Sequence, residues 1–166
     1  IEMEDSRIVL GQGDYSVPPN GYKSGIYSVI ADPEHTELDQ GFIQYKQDNV
    51  SVKVGRQVIT HDKHRFIGHV GWRQDRQTYD AATVAYTASD KLKLDYSYIT
   101  QRNRIFGEAA DIDSKDHLLH STYQTQYGTL AAYGYLLEVD SSIDNALDTY
   151  GASFSGANDS TGTQLH

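Results

Sequence analysis

The arginines of this chain are gathered rather than scattered. Four of the seven, Arg56, Arg65, Arg73 and Arg76, fall in GRQVITHDKHRFIGHVGWRQDRQTYD (residues 55–80), and Arg102 and Arg104 follow in a later polar stretch. The same segment holds three of the seven histidines and Trp72, the single tryptophan. Guanidinium groups brought together bind anions. The planar fork makes two parallel hydrogen bonds to a carboxylate, and low-dielectric walls strengthen the field of each charge. Trp72, between Gly71 and Arg73, can stack on a sugar ring or anchor the segment against a wall. The arginines have an alternative chemistry, pairing with Asp62, Asp75, Asp80 and neighbouring strand carboxylates to stiffen the segment. At the level of sequence both readings stand.

Other chemistries find less support. His61, His64 and His69 lack the i, i+2 spacing of one strand face, approach the i, i+4 of a helix only loosely, and have no carboxylate pair to complete a ligand set. His117 and His120 fall on opposite faces of a strand, so no metal is expected. Glu34, Glu37 and Asp39 crowd one short segment without a second carboxylate cluster to make a glycosidase pair. SFSG lacks the Gly-x-Ser-x-Gly frame, no phosphate-binding glycine loop is present, and there is no cysteine. Neither an enzyme nor a cofactor is expected. With 14 Lys and Arg against 23 Asp and Glu, the net charge of −9 disfavours nucleic acid as a partner.

The elements that position these residues read as strands. NVSVKVGRQV puts Val50, Val52 and Val54 on one face, and KLKLDYSYIT sets Leu92, Leu94, Tyr96 and Tyr98 against Lys91, Lys93, Asp95 and Ser97. IEMEDSRIVL, ELDQGFIQYK, TYDAATVAYTA, HLLHSTYQTQ, TLAAYGYLLEV and TYGASFSG bring the strand candidates to about eight. QDN, SD and YG are tight-turn links, whereas residues 11–36, 57–77, 101–116 and 139–148 are long connections. Long and short links alternate strictly. That layout predicts an up-and-down antiparallel meander with its long loops at one end, as in outer-membrane barrels. Thirteen tyrosines, several near strand ends, fit aromatic girdles at membrane interfaces. A soluble, tyrosine-rich carbohydrate-binding module is the rival. Residue 1 is Ile, the opening shows no leader pattern, and GANDSTGTQLH shows no terminal strand, so the expectation is a piece of a longer chain.

Two motifs carry a resemblance. ADPEHTELDQGFIQY (31–45) and VGRQVITHDKHRFIGHVGWRQDRQTYDAATVAY (54–86) resemble the alginate-export family of outer-membrane barrels, and DYSYITQRNRIFG and DSKDHLLHSTYQ continue it over nearly the whole chain. The chain departs from the pattern at His35, Asp39, His61 and His64. The resemblance implies one incomplete β-barrel segment over residues 1–166, embedded in outer-membrane lipid of a Gram-negative-type bacterium. It implies passive passage of anionic or polar solutes or polysaccharide, uronate-type saccharides included. Arg56, Arg65, Arg73, Arg76, Arg102, Arg104 and Trp72 are then the candidate pore-lining residues.

Overall fold

The computed structural model describes residues 1–11, 13–17, 23–30, 32–140, 145–158 and 163–165, and in it the chain forms one antiparallel sheet. Nine strands neighbour one another in sequence order: β1 (Glu2–Ser6), β2 (His35–Gln47), β3 (Val50–Gln57), β4 (Thr78–Thr87), β5 (Leu92–Asn103), β6 (Ile112–Thr125), β7 (Gly128–Glu138), β8 (Ala146–Asn158) and β9 (Thr163–Leu165). Among the described residues, helix is confined to the 3-10 turns Asp62–His64 and Glu108–Ala110. β1 and β9 are the two edges, so the sheet is open, as a segment of a barrel would be.

The eight strands expected from the alternation are present. The short β9 is an addition from a stretch without strand pattern, where backbone pairing with β8 supplies what the side chains do not signal. The connection expected at 101–116 shrinks to 104–111, because the ladder pairs Gln101 with Asp113 and Arg102 with Ile112. Polar residues stay in strand there because their backbone groups are paired in the ladder. Parts of the expected connections 11–36 and 139–148, and Ala31 at the head of one family motif, lie outside the described residues.

Register sorts the side chains onto two faces. One row runs Tyr45–Val52–Val84–Tyr96–Leu119–Gly134–Tyr150 across seven strands. It belongs to an apolar face that no other part of the described chain covers: Ile43 is 82% exposed, Tyr45 61% and Tyr150 70%. The opposite row runs Gln44–Lys53–Thr83–Ser97–Leu118–Tyr135–Thr149 and is mostly polar. The buried cluster sits on this polar side, where Tyr79, Ala81, Ile99, Leu118 and Tyr135 are joined by Ile59 and Ile67 from the β3–β4 connection.

Two glycines let strands approach where a side chain could not. Gly55 has φ +123° and an added Cβ would lie 2.3 Å from the Gly41 carbonyl oxygen; Gly128 has φ +141° and the same atom would lie 2.4 Å from that of Ser155. A non-glycine residue in such a conformation costs about 1–3 kcal/mol before any clash is relieved. Gly55→Ala and Gly128→Ala are therefore each expected to lower unfolding free energy in detergent by at least that much. Gly41→Ala, whose methyl would meet only the flexible Leu38 side chain at 3.1 Å, serves as the milder control in the same denaturant titration.

Candidate functional site

The connection 58–77, between β3 and β4, is the long basic segment singled out by its composition, and it lies back across the polar face of the sheet. Ile59 and Ile67 supply its grip. Both are 6% exposed, packed against the cluster around Ile99 and Leu118. Burying such a side chain is worth about 1.5–3 kcal/mol. Between them the chain closes on itself, with the His61 amide donating to the Ile67 carbonyl at 3.1 Å. Asp62, Lys63 and His64 then run at φ 47°, 55° and 67°, a left-handed turn that costs L-residues about 1–2 kcal/mol each.

Side chains on β6 and β7 hold that turn in place. The His61 ring stacks on His120 at 4.4 Å and lies 6.1 Å from Tyr135. His120 Nε2 is 3.1 Å from Asp62 Oδ2, and Phe66 packs on Tyr133 at 5.5 Å. At the returning end, the Tyr79 hydroxyl donates to the Gly68 carbonyl at 2.9 Å. Burial, with the neighbouring His120 adding to it, pushes His61 down to about 4, so its imidazole is neutral near pH 7.

The candidate arginines divide into two groups. Arg56 grips Asp80 with two bonds, at 2.8 and 3.0 Å, and Asn103 adds a third contact to that carboxylate. Arg102 grips Asp116 at 2.7 and 2.6 Å, and Asp116 also accepts from the Glu138 amide at 2.9 Å. Arg76 is held by Asp39, with its Nε at 2.9 Å from Oδ1, and by Glu2 at 2.7 Å. Arg73 reaches Asp32 at 3.5 Å and lies over the Trp72 ring at 4.0 Å. Arg65 and Arg104 have no carboxylate within ion-pair distance among the described residues, and lie over Phe66 and Phe106. Trp72 itself is 75% exposed. With His64, Phe66, His69 and Gln77 it lines a cleft of ≈ 630 Å³.

Of the partners foreseen for the arginines, Asp80 is one, and Glu2, Asp39 and Asp116 are the strand carboxylates; Asp62 and Asp75 do not pair with arginine, and Arg73 takes Asp32 outside the strands. His64 and His69 meet edge to face at 4.7 Å, while His61 turns away to His120. His117 packs on Tyr98, on the face opposite His120. Asp75, expected only as a partner for arginine, is instead fully buried near His35 and Glu37. Burial above all, with Glu37, Glu4 and Asp39 adding to it, pushes its carboxyl up to about 8. The signal for the in-folding is the pair of apolar doublets Val58–Ile59 and Phe66–Ile67 in a connection otherwise rich in Arg, His, Asp and Gln.

Two outcomes follow from this geometry. Arg102→Ala strands the Asp116 carboxylate, 1% exposed, and is expected to cost about 3–5 kcal/mol of stability, against less than about 0.5 for Arg104→Ala, both read by denaturant unfolding in detergent. His61 has its folded-state pKa depressed from an ordinary 6.5 to about 4, so its contribution is complete above 6.5 and is lost as pH falls towards 4. The groups facing it are His120, Asp62 and Tyr135. Hydrogen exchange of residues 58–77, corrected for intrinsic rate, should therefore accelerate between pH 6.5 and 4. His61→Phe, which keeps the stack without the titration, should flatten that response.

Comparison with curated proteins and with solved structures gives no match. The family model for alginate export, in contrast, matches residues 1–164, nearly the full length of the sequence. An all-β antiparallel meander with strictly alternating short and long links accompanies that match along the whole described chain. The chain belongs to the alginate-export family.

Proposed function

We propose that this chain is part of an outer-membrane β-barrel channel of a Gram-negative-type bacterium, through which anionic or polar solutes pass by diffusion, alginate-like polyuronates among them. The observation that carries the reading is the division of the sheet into an uncovered apolar face and a polar face. An apolar surface running across seven strands is unfavourable in water and is satisfied by hydrocarbon, while the ladder keeps the backbone groups paired. This weighs against the soluble carbohydrate-binding module. The family membership supports the same direction.

In this reading the polar face lines the lumen, and the connection 58–77, lying across it, narrows the passage. The candidate arginines then serve two purposes. Arg56, Arg76 and Arg102, already neutralised by carboxylates, brace the wall. Arg65, Arg104 and the Arg73–Trp72 pair, whose arginine has one 3.5 Å contact to Asp32 for a solute carboxylate to displace, are the groups available to a passing solute, cations for its carboxylates and an indole for its ring face. Cationic groups along a low-dielectric passage favour anions.

The test is a planar bilayer recording of the full-length protein under a salt gradient. Wild type should conduct with anion preference. Replacing Arg65, Arg73 and Arg104 together by Gln should move the reversal potential towards cation preference. Absence of conductance from correctly folded protein would sink the channel reading, and an unchanged potential in the triple variant would sink the assignment of those arginines.

A further inference from the structure

Three atoms of metal-ligand type converge where the connection 58–77 returns to the sheet. His35 Nε2 lies 3.3 Å from Asp75 Oδ2 and 3.5 Å from Glu37 Oε2, and the three donor atoms all fall within 4.8 Å of one another. His35 Nδ1 is 3.1 Å from the Pro33 carbonyl oxygen. A carbonyl can only accept, so Nδ1 carries a proton, and Nε2 is the ring nitrogen that faces the two carboxylates. The Asp75 side chain is 0% exposed, and neither of its oxygens accepts a hydrogen bond. His35 Nε2 is buried without a donor as well.

A buried carboxyl with neither oxygen hydrogen-bonded is costly as an anion, so either a proton or a bound cation must meet it. The adjacent cation does not supply this, since Arg76 turns to Asp39 and Glu2. We infer that His35, Glu37 and Asp75 form a binding site for a divalent transition cation of the zinc type. One imidazole and two carboxylates suit zinc, whereas calcium takes oxygen ligands only. A tetrahedral zinc with bonds of about 2.0–2.1 Å sets its donors about 3.3 Å apart, close to the spacings around His35 Nε2. The Pro33 carbonyl fixes the tautomer and orients the ring, as partners of metal-binding histidines commonly do. Water would complete the set.

The site joins the first strand turn of β2 to Asp75, three residues before β4 begins, so a cation there clips the returning end of the loop to the sheet. It stands on its own geometry and does not require the channel reading.

The test uses full-length protein in detergent, stripped with a chelator and titrated with Zn²⁺ by calorimetry, with Ca²⁺ as the contrasting ion. Wild type should bind one Zn²⁺ more than either His35→Gln or Asp75→Asn, and the double variant His64→Ala, His69→Ala should retain that equivalent. Zn²⁺ should also slow tryptic cleavage within residues 58–77 of wild type at least several-fold and leave the rate in Asp75→Asn unchanged. Circular dichroism and the heat-dependent gel shift check that the variants are folded. Equal stoichiometry in wild type, His35→Gln and Asp75→Asn overturns the site, as does loss of the equivalent in the His64, His69 variant. So does a wild type that binds no Zn²⁺, which would leave Asp75 and Glu37 sharing a proton, and so would tighter binding of Ca²⁺ than of Zn²⁺.

Discussion

Ile59 and Ile67 close over Ile99, Leu118 and Tyr135 on a sheet face that is otherwise mostly polar, and the placement of the whole connection 58–77 depends on that contact. On the other face apolar side chains are the rule, and no other part of the described chain covers them. Here they are an island, and in water an island of this kind stays stable only when capped. Capping it draws a segment rich in arginine and histidine across the sheet rather than letting it stand off the rim. Every particular of the loop follows: the left-handed turn at 62–64, the His61–His120 stack, and the approach of Asp75 to β2.

Charge is organised on the same scaffold. A chain with net charge −9 has carboxylates to spare, and Arg56, Arg76 and Arg102 each meet a partly or fully buried one in a geometry that uses both edges of the guanidinium fork. These pairs sit at the ends of strands beside the long connections, where the ladder loosens and bulges interrupt the register between Asp80 and Ala81 and between Ile99 and Gln101. They hold polar strand ends in place where apolar packing is thin. Asp75 is the carboxylate this arrangement leaves over, buried with His35 and Glu37 and without an arginine of its own.

Much of this could be read directly from residue order. Tyr45, Val52, Val84 and Tyr96 alternate with polar neighbours and proved to lie in one register row. The tight links at QDN, SD and YG forced antiparallel neighbours, and the meander has no crossover among the described residues. What escaped the reading were long-range partners. That Arg102 would choose Asp116, and Arg76 would choose Asp39, depends on register and on where the loop lands, neither of which a local pattern carries. The strand ends at Asn103 and Ile112 were missed for a related reason, since polar residues paired in a ladder carry no hydropathy signal. β9 escaped in the same way.

Period-two alternation and the lengths of the links, both local properties, were enough by themselves to determine an all-β up-and-down meander with one apolar and one polar face. They suffice because strand geometry sends successive side chains to opposite sides whatever lies beyond. Only the tertiary structure decided which arginines are neutralised, that Ile59 and Ile67 turn the basic loop inward, and that His35, Glu37 and Asp75 meet. Those outcomes rest on contacts between residues far apart in the chain, where burial and charge are settled by what else arrives at the same place.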